Sequence, residues 1–266
     1  MESKKKALLI GINYTGQPIQ LYGCINDVMS MKDTLTSNYN YNDSNILVLT
    51  DNTTIKPTRS NIISAFRWLV TDLPASGFRT DGKYPTTQQA PMMYFHYAGH
   101  GILVPDDNGD EASGYDSSIV PVDYTTVGVI RDDVIRYELA NMVITTLVGV
   151  LDCCYCGTGF DLRWNYGIDG SVTEDQHYPP TDGNVIVISA GNDRQKANDV
   201  SLNGGNHGAL SYALKNVINA GGSMELVQLV ADLNKFIQTR GLARSEPQTP
   251  SLSSGRKLVS GEIFRL

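Results

Sequence analysis

Basic charge is scarce in this chain. Its 266 residues carry 21 Lys and Arg against 28 Asp and Glu, a formal net charge of −7. That deficit argues against the clustered cationic footprint needed to hold a phosphate backbone, and no nucleic-acid partner is expected. Long apolar runs are also missing, so no stretch suffices to span a bilayer as a helix and no membrane partner is expected. Lys4-Lys5-Lys6 has the charge of a signal peptide, but the apolar run Ala7 to Ile12 is broken by Gly11 and is too short for the apolar core of one. Cysteine is sparse: of four, Cys153, Cys154 and Cys156 crowd into one turn and cannot join distant parts of a fold. That usage suits a reducing, cytoplasmic setting. At 41% hydrophobic and 18% charged, the chain has enough apolar surface to bury a core, which excludes a disordered protein.

The stretch that organises the rest runs from Val148 to Gly159. Its apolar half ends on Asp152, Cys153 and Cys154, and then turns through Gly157 and Gly159. A buried strand that delivers reactive groups to its carboxyl end is the simplest reading. Earlier strands are expected at Ala7 to Ile12, Ile46 to Leu49, and Pro91 to Tyr97, the last running into Ala98-Gly99-His100-Gly101. A helix from Asn26 to about Tyr39 has Val28, Met31 and Leu35 at helical spacing, with Asn26 or Asp27 as its cap. A second opens at Pro57-Thr58, with Pro in its first turn. Further elements are expected at Ser118 to Val122, a helix from Asp132 to Met142, the strand Asn184 to Ala190, helices His207 to Ala220 and Met224 to Gln238, and a strand at Gly261 to Leu266. Residues 162–183 are polar, rich in Gly, Pro and Asp, and read as an exposed linker between parts 1–161 and 184–266. Alternation of this kind predicts an α/β fold with a mostly parallel sheet covered by helices on both faces.

His100 lies between glycines directly after a strand, 54 positions before Cys154 (154 − 100). A thiol needs a base to become a thiolate near neutral pH, and imidazole suits that work. In caspases the His precedes the Cys by about 50 residues, and the spacing here agrees. A metal site built from Cys153, Cys154 and Cys156 lacks the two-residue gap usual in zinc knuckles.

The segments His96-Tyr97-Ala98-Gly99-His100-Gly101, Asp152-Cys153-Cys154-Tyr155-Cys156-Gly157, Gly23-Cys24-Ile25-Asn26-Asp27 and Ser245-Glu246-Pro247-Gln248 resemble the motifs of type I metacaspases. These are caspase-like cysteine peptidases of plants, fungi and protists. The resemblance implies a caspase-like fold with His100 and Cys154 as the catalytic dyad and the backbone N–H groups of Gly101 and Cys154 as the oxyanion hole. It places Asp27, Asp152, Cys24 and Ala98 at the substrate pocket. Two carboxylates in a partly buried slot favour Arg or Lys, so the implied partners are peptides or proteins with a basic residue before the scissile bond. Asp152 lies two residues before Cys154, and strand alternation turns both to one side and Cys153 to the core.

The same resemblance implies activating Ca²⁺ at Asp116, Asp132, Asp133 and Asp161, a set of hard oxygen donors. From the residues alone Asp132 serves equally well as a helix cap. The loop Asp106 to Glu111 is oxygen-rich but does not fit an EF-hand, since Glu111 stands where Gly is needed. Self-cleavage after Arg163, Arg194 or Lys196 and a monomeric state are also implied. Tyr155 and Cys156 depart from the His and Ser usual after the nucleophile, which leaves a weakened, caspase-like interaction protein as the alternative.

Overall fold

The computed structural model describes residues 5–70, 92–111, 113–139, 142, 146–157, 159–191, 199–202, 205–222, 224–243 and 248–266. Five strands are apolar enough to be buried on both faces, and they form the parallel centre of an eight-stranded sheet. These are β1 (Lys5–Gly11), β2 (Ile46–Thr50), β3 (Met92–Ala98), β7 (Thr146–Asp152) and β10 (Asn184–Ser189), in the spatial order β2-β1-β3-β7-β10. The order reverses between β1 and β3, because the chain steps to β2 on one side and returns to β3 on the other. In such sheets ligands bind beside the reversal, outside the carboxyl ends of the strands.

Two apolar layers cover the sheet. On one face α1 (Cys24–Asn38), α5 (Ala209–Asn219) and α6 (Leu226–Thr239) bury Val28, Met31, Leu214 and Leu229 against Val148 and Val150. On the other, α2 (Arg59–Leu69) and α4 (Asp132–Leu139) bury Ile62, Phe66 and Ile135 against Leu147 and Leu151. Along β7 the side chains therefore alternate between layers, and Cys153 falls in the second, where it is 1% exposed. The shorter elements are β4 (Gly101–Pro105), β5 (Tyr115–Ile119), α3 (Tyr124–Val127) and β6 (Ile130–Arg131), with β4, β5 and β6 forming a small antiparallel sheet.

Several boundaries differ from the sequence reading. Helix α1 begins at Cys24 with Gly23 as its cap and no capping side chain, so neither Asn26 nor Asp27 caps it. Pro57 precedes the cap of α2 instead of entering its first turn; Thr58 is the cap, and its hydroxyl accepts from Asn61 N at 3.3 Å. Residues 162–183 are not structureless: β8 (Trp164–Tyr166) and β9 (Val172–Glu174) pair with each other and extend the sheet edge. Two three-residue strands are too short for a period to show. Gly205–Gly208 is strand β12, paired with β11 (Asp199–Leu202), and the helix starts after it. No strand runs through Gly261–Leu266; Ile263 makes a single bridge to Glu225, and β10 instead pairs with β13 (Ser251–Ser254). With one apolar residue in four, β13 gives no apolar signal. Among the described residues no helix is long and apolar enough to cross a membrane.

Candidate active site

Register brings the two reactive groups together. Strands β3 and β7 pair in parallel with Ala98 opposite Asp152, so His100 and Cys154 each stand two residues beyond that rung. Gly101 packs against the turn so tightly that a Cβ there would lie 2.0 Å from the Cys154 carbonyl oxygen. Only glycine fits. Gly101→Ala should force the turn aside and cost about 1–3 kcal/mol of stability, as overpacking does; thermal unfolding checks this.

The backbone of His100 is held by two tyrosines that sequence reasoning does not single out. His100 N donates to Tyr14 Oη at 3.0 Å, and Tyr97 Oη donates to the His100 carbonyl at 2.8 Å. Tyr14 Oη in turn donates to the Val120 carbonyl at 2.7 Å. The imidazole lies 4.9 Å from the Tyr14 ring, and its Nε2 is 2.7 Å from the Ile19 carbonyl oxygen. A carbonyl only accepts, so Nε2 carries the proton and Nδ1 is the free base. A chain carbonyl has no sequence signature, which is why this orienting group is silent in the sequence.

The other histidine of the same motif has a different fate. His96 is fully buried between Tyr94 Oη at 3.1 Å and Ser211 Oγ at 2.8 Å. Burial drives its pKa down to about 3, so it stays neutral and ties β3 to α5.

Of the three thiols in the turn, Cys153 and Cys156 bring their sulfurs together and are nearly inaccessible, whereas Cys154 is partly exposed. Cys156 Sγ also donates to the Cys154 carbonyl at 3.1 Å, which closes the turn that carries Cys154. Tyr155, the next residue, has φ +54° and Asp161 has φ +49°. Left-handed backbone at a bulky Tyr costs on the order of 1–3 kcal/mol, and strain of this kind clusters at functional turns.

Asp27 and Asp152 converge on the start of α5. Asp27 Oδ2 accepts from Gly208 N at 2.7 Å and Asp152 Oδ2 from Ser211 N at 2.8 Å. A Cβ on Gly208 would lie 2.2 Å from that same Asp152 oxygen. The helix N-terminus thus supplies donors to both carboxylates. Both are almost fully buried, as are Cys24 and Ala98 beside them. Burial pushes the Asp27 carboxyl up to about 7, with the Asp152 charge adding to the rise and the His207 and Gly208 bonds opposing it. His207 Nδ1 sits 2.9 Å from Asp27 Oδ1 and is absent from the sequence-level site.

The four aspartates expected at the metal do not form one set. Asp116 and Asp133 cluster with Asp107, and Asp132 and Asp161 with Glu111, the ligand atoms of each group lying within 4.8 Å of one another. A third group adds Asp106 and Asp110 to Asp116. The acidic loop that the sequence reading sets apart from these aspartates therefore lies against them, and Asn108 Nδ2 donates to Asp133 Oδ1 at 2.8 Å. The donors fit a hard cation: Oδ1 of Asp116 and Oδ1 of Asp161 are buried without a hydrogen-bond partner among the described residues. Arg131 pairs with Asp116 and, at 3.3 Å, with Asp107. Burial and mutual repulsion with Glu111 raise both Asp132 and Asp161 above the usual carboxylate range. Asp132 opens α4; its Oδ2 accepts from Ser117 N at 2.9 Å and its Oδ1 from Asp133 N in the first turn at 3.2 Å. Asp132 and Ser117 line a cavity of about 10 Å³ together with Cys156 and Gly159, so the cluster and the Cys154 turn border one small void. A cavity of about 660 Å³ opens at the far end of the sheet between Thr146, Asn184, Arg256 and Glu262, away from this chemistry.

Of the candidate self-cleavage positions, Arg163 is tied to Glu174 at 2.7 Å and to the Tyr178 carbonyl at 3.2 Å. Arg194 and Lys196 lie outside the described residues, as does most of the Ser245-Glu246-Pro247-Gln248 segment.

Comparison with known proteins adds an independent line. A family model described as "Metacaspase, peptidase C14 domain" matches residues 5–163. Metacaspase-1A of Aspergillus terreus is 31% identical over 306 residues, covering 96% of this chain and 71% of that protein. Metacaspase-1 of Schizosaccharomyces pombe is 30% identical over 312 residues, covering 95% and 70%. The crystal structure of a Geobacter sulfurreducens protein superposes with a TM-score of 0.64 at 18% identity over 99% of both chains, a likeness of fold alone.

Proposed function

The chain belongs to the metacaspase family of C14 peptidases and is a cysteine peptidase, and we propose that it is a calcium-dependent endopeptidase that cleaves after Arg or Lys. The observation that carries this reading is the shared rung of β3 and β7, which sets His100 and Cys154 above the buried pair Asp27 and Asp152.

In the reaction we infer, Nδ1 of His100 takes the proton of Cys154 Sγ, and the thiolate attacks the substrate carbonyl. The N–H groups of Gly101 and Cys154 receive the oxyanion. His100 then gives its proton to the departing amine, leaving an acyl-enzyme on Cys154. Water, deprotonated by His100, releases the acid and restores the thiol. Asp27 and Asp152 hold the basic side chain by charge-assisted hydrogen bonds in a low-dielectric slot. Calcium held by Asp132, Asp161 and Glu111 would neutralise the carboxylates packed behind the Cys154 turn, and Asp116 and Asp133 would offer donors in the neighbouring group.

Supporting a monomer, the hairpin of β8 and β9 covers the sheet edge beyond β13, and its own edge is three residues long and ends on Glu174. Self-processing at Arg163 would first require release of its ties to Glu174 and Tyr178. A cytoplasmic setting is part of the same proposal.

Fluorogenic peptides ending in Arg, Lys or Asp, assayed with calcium or with chelator, test the reading. Cleavage after Arg and Lys only, and only with calcium, is expected. Cleavage after Asp, or equal rates with chelator, would overturn the specificity or the metal dependence respectively.

A further inference from the structure

Asp27, the carboxylate assigned above to the substrate's basic side chain, already has a tenant. His207 reaches it from β12, with Nδ1 at 2.9 Å from Oδ1, while Gly208 N takes Oδ2 at 2.7 Å. The imidazole is placed firmly: its ring lies 5.4 Å from that of Tyr212 on α5, and the strand is tied to α1 by Asn26 Nδ2 donating to the Asn206 carbonyl at 3.1 Å. Its side chain is 16% exposed and the Asp27 carboxylate 1%, so the histidine is the more open member of the pair. Among the described residues, the titratable groups facing the pair are Asp152 at the end of β7 and Tyr212; across β11 the partner of His207 is the apolar Val200.

Resting on the reading that Arg and Lys bind here, we propose that His207 is a specificity-determining residue, which shares Asp27 with the substrate's cation while neutral and displaces that cation when protonated. A carboxylate oxygen has two lone pairs, so a neutral imidazole donating one hydrogen bond leaves Asp27 able to accept another and leaves its charge intact. With Asp27 and Asp152 both ionised, the slot then presents two negative charges to a guanidinium. An imidazolium instead makes a salt bridge, removes one of those charges, and sets a like charge beside the incoming side chain. Burial raises Asp27 to about 7, the range in which imidazoles also ordinarily titrate. Acidification weakens capture of a basic residue, while a neutral side chain of the same shape is indifferent to it.

The test compares kcat/KM for peptides ending in Arg with those ending in citrulline, at saturating calcium, between about pH 5.5 and 8.5. Both substrates use the same dyad, so ionisation of His100 and Cys154 cancels in the ratio. For the unaltered chain the Arg-to-citrulline ratio should fall about tenfold from the basic to the acidic end, mostly through KM. In His207→Asn, whose Nδ2 stands where Nδ1 of the imidazole does but does not titrate, only the carboxylate's own titration remains and the ratio should fall much less. His207→Gln serves as the second variant if the first fails to fold. Equal slopes in the folded variant and the unaltered chain would overturn the proposal and leave the Arg and Lys reading standing. No cleavage after Arg by the unaltered chain at any pH would overturn both.

Discussion

Cys154→Ala should lower kcat/KM for Arg-ended peptides by at least about 10⁴-fold while leaving the thermal transition nearly unchanged. Three thiols crowd this turn, and the structure separates them. Cys153 points into the apolar layer with Leu151 and Phe160, and Cys156 is 2% exposed and packed against it, so of the three only Cys154 offers an accessible sulfur. Deleting that sulfur removes the nucleophile without opening a core cavity, which is why function and stability part. His100→Ala should cost a similar factor, and the double variant little more, because the two groups act in one proton transfer. Alkylation of the native protein should label Cys154 first, Cys24 being buried. Activity that survives in Cys154→Ala but is lost in Cys153→Ala would reassign the nucleophile.

Much of this arrangement is legible in the sequence, and the reason is periodicity. Strands buried on both faces read as unbroken apolar runs, and the stops at Ala98 and Asp152 mark their carboxyl ends. Alternation along β7 then assigns Cys153 to the core before any coordinates are known. Legibility fails where an element is short or its partner is distant. Residues 251–254 have one apolar side chain, yet β13 is placed by its ladder to β10. Glu111 and Asp107 join the acidic cluster through a connection whose path no local pattern encodes. His207 is 180 residues from Asp27, and the glycines beside it look like a loop. The Ile19 carbonyl against His100 is backbone, to which sequence is blind.

Calcium should raise the thermal midpoint of the unaltered chain, and Asp161→Asn should abolish most of that rise. Asp132 and Asp161 are 2% exposed and lie beside Glu111; burial raises both carboxyls, and the Asp132 charge raises Asp161 further. A carboxyl whose pKa is higher folded than unfolded binds more protons in the fold. Its contribution to stability is therefore complete below the ordinary aspartate value of about 4 and is lost as pH rises through the folded value. Without metal the fold should weaken from neutral pH upward, and chelator should deepen that loss. Calcium binds the ionised forms, so its stabilisation should grow with pH, reaching about 2.7 kcal/mol at a hundredfold excess over Kd. At about 2–4 °C per kcal/mol for a chain of this size, that is a shift of roughly 5–10 °C. Asp161→Asn removes one repelling charge and one ligand together, so the metal-free variant should melt above the metal-free parent and respond little to calcium. Because Asp161 holds a left-handed backbone beside the Cys154 turn, and Asp132 and Cys156 line the same cavity of about 10 Å³, the same variant should lose calcium-stimulated cleavage. A variant that keeps the full calcium shift in melting would remove Asp161 from the site. One that loses the shift but keeps calcium-stimulated cleavage would sever the link between the cluster and the nucleophile turn.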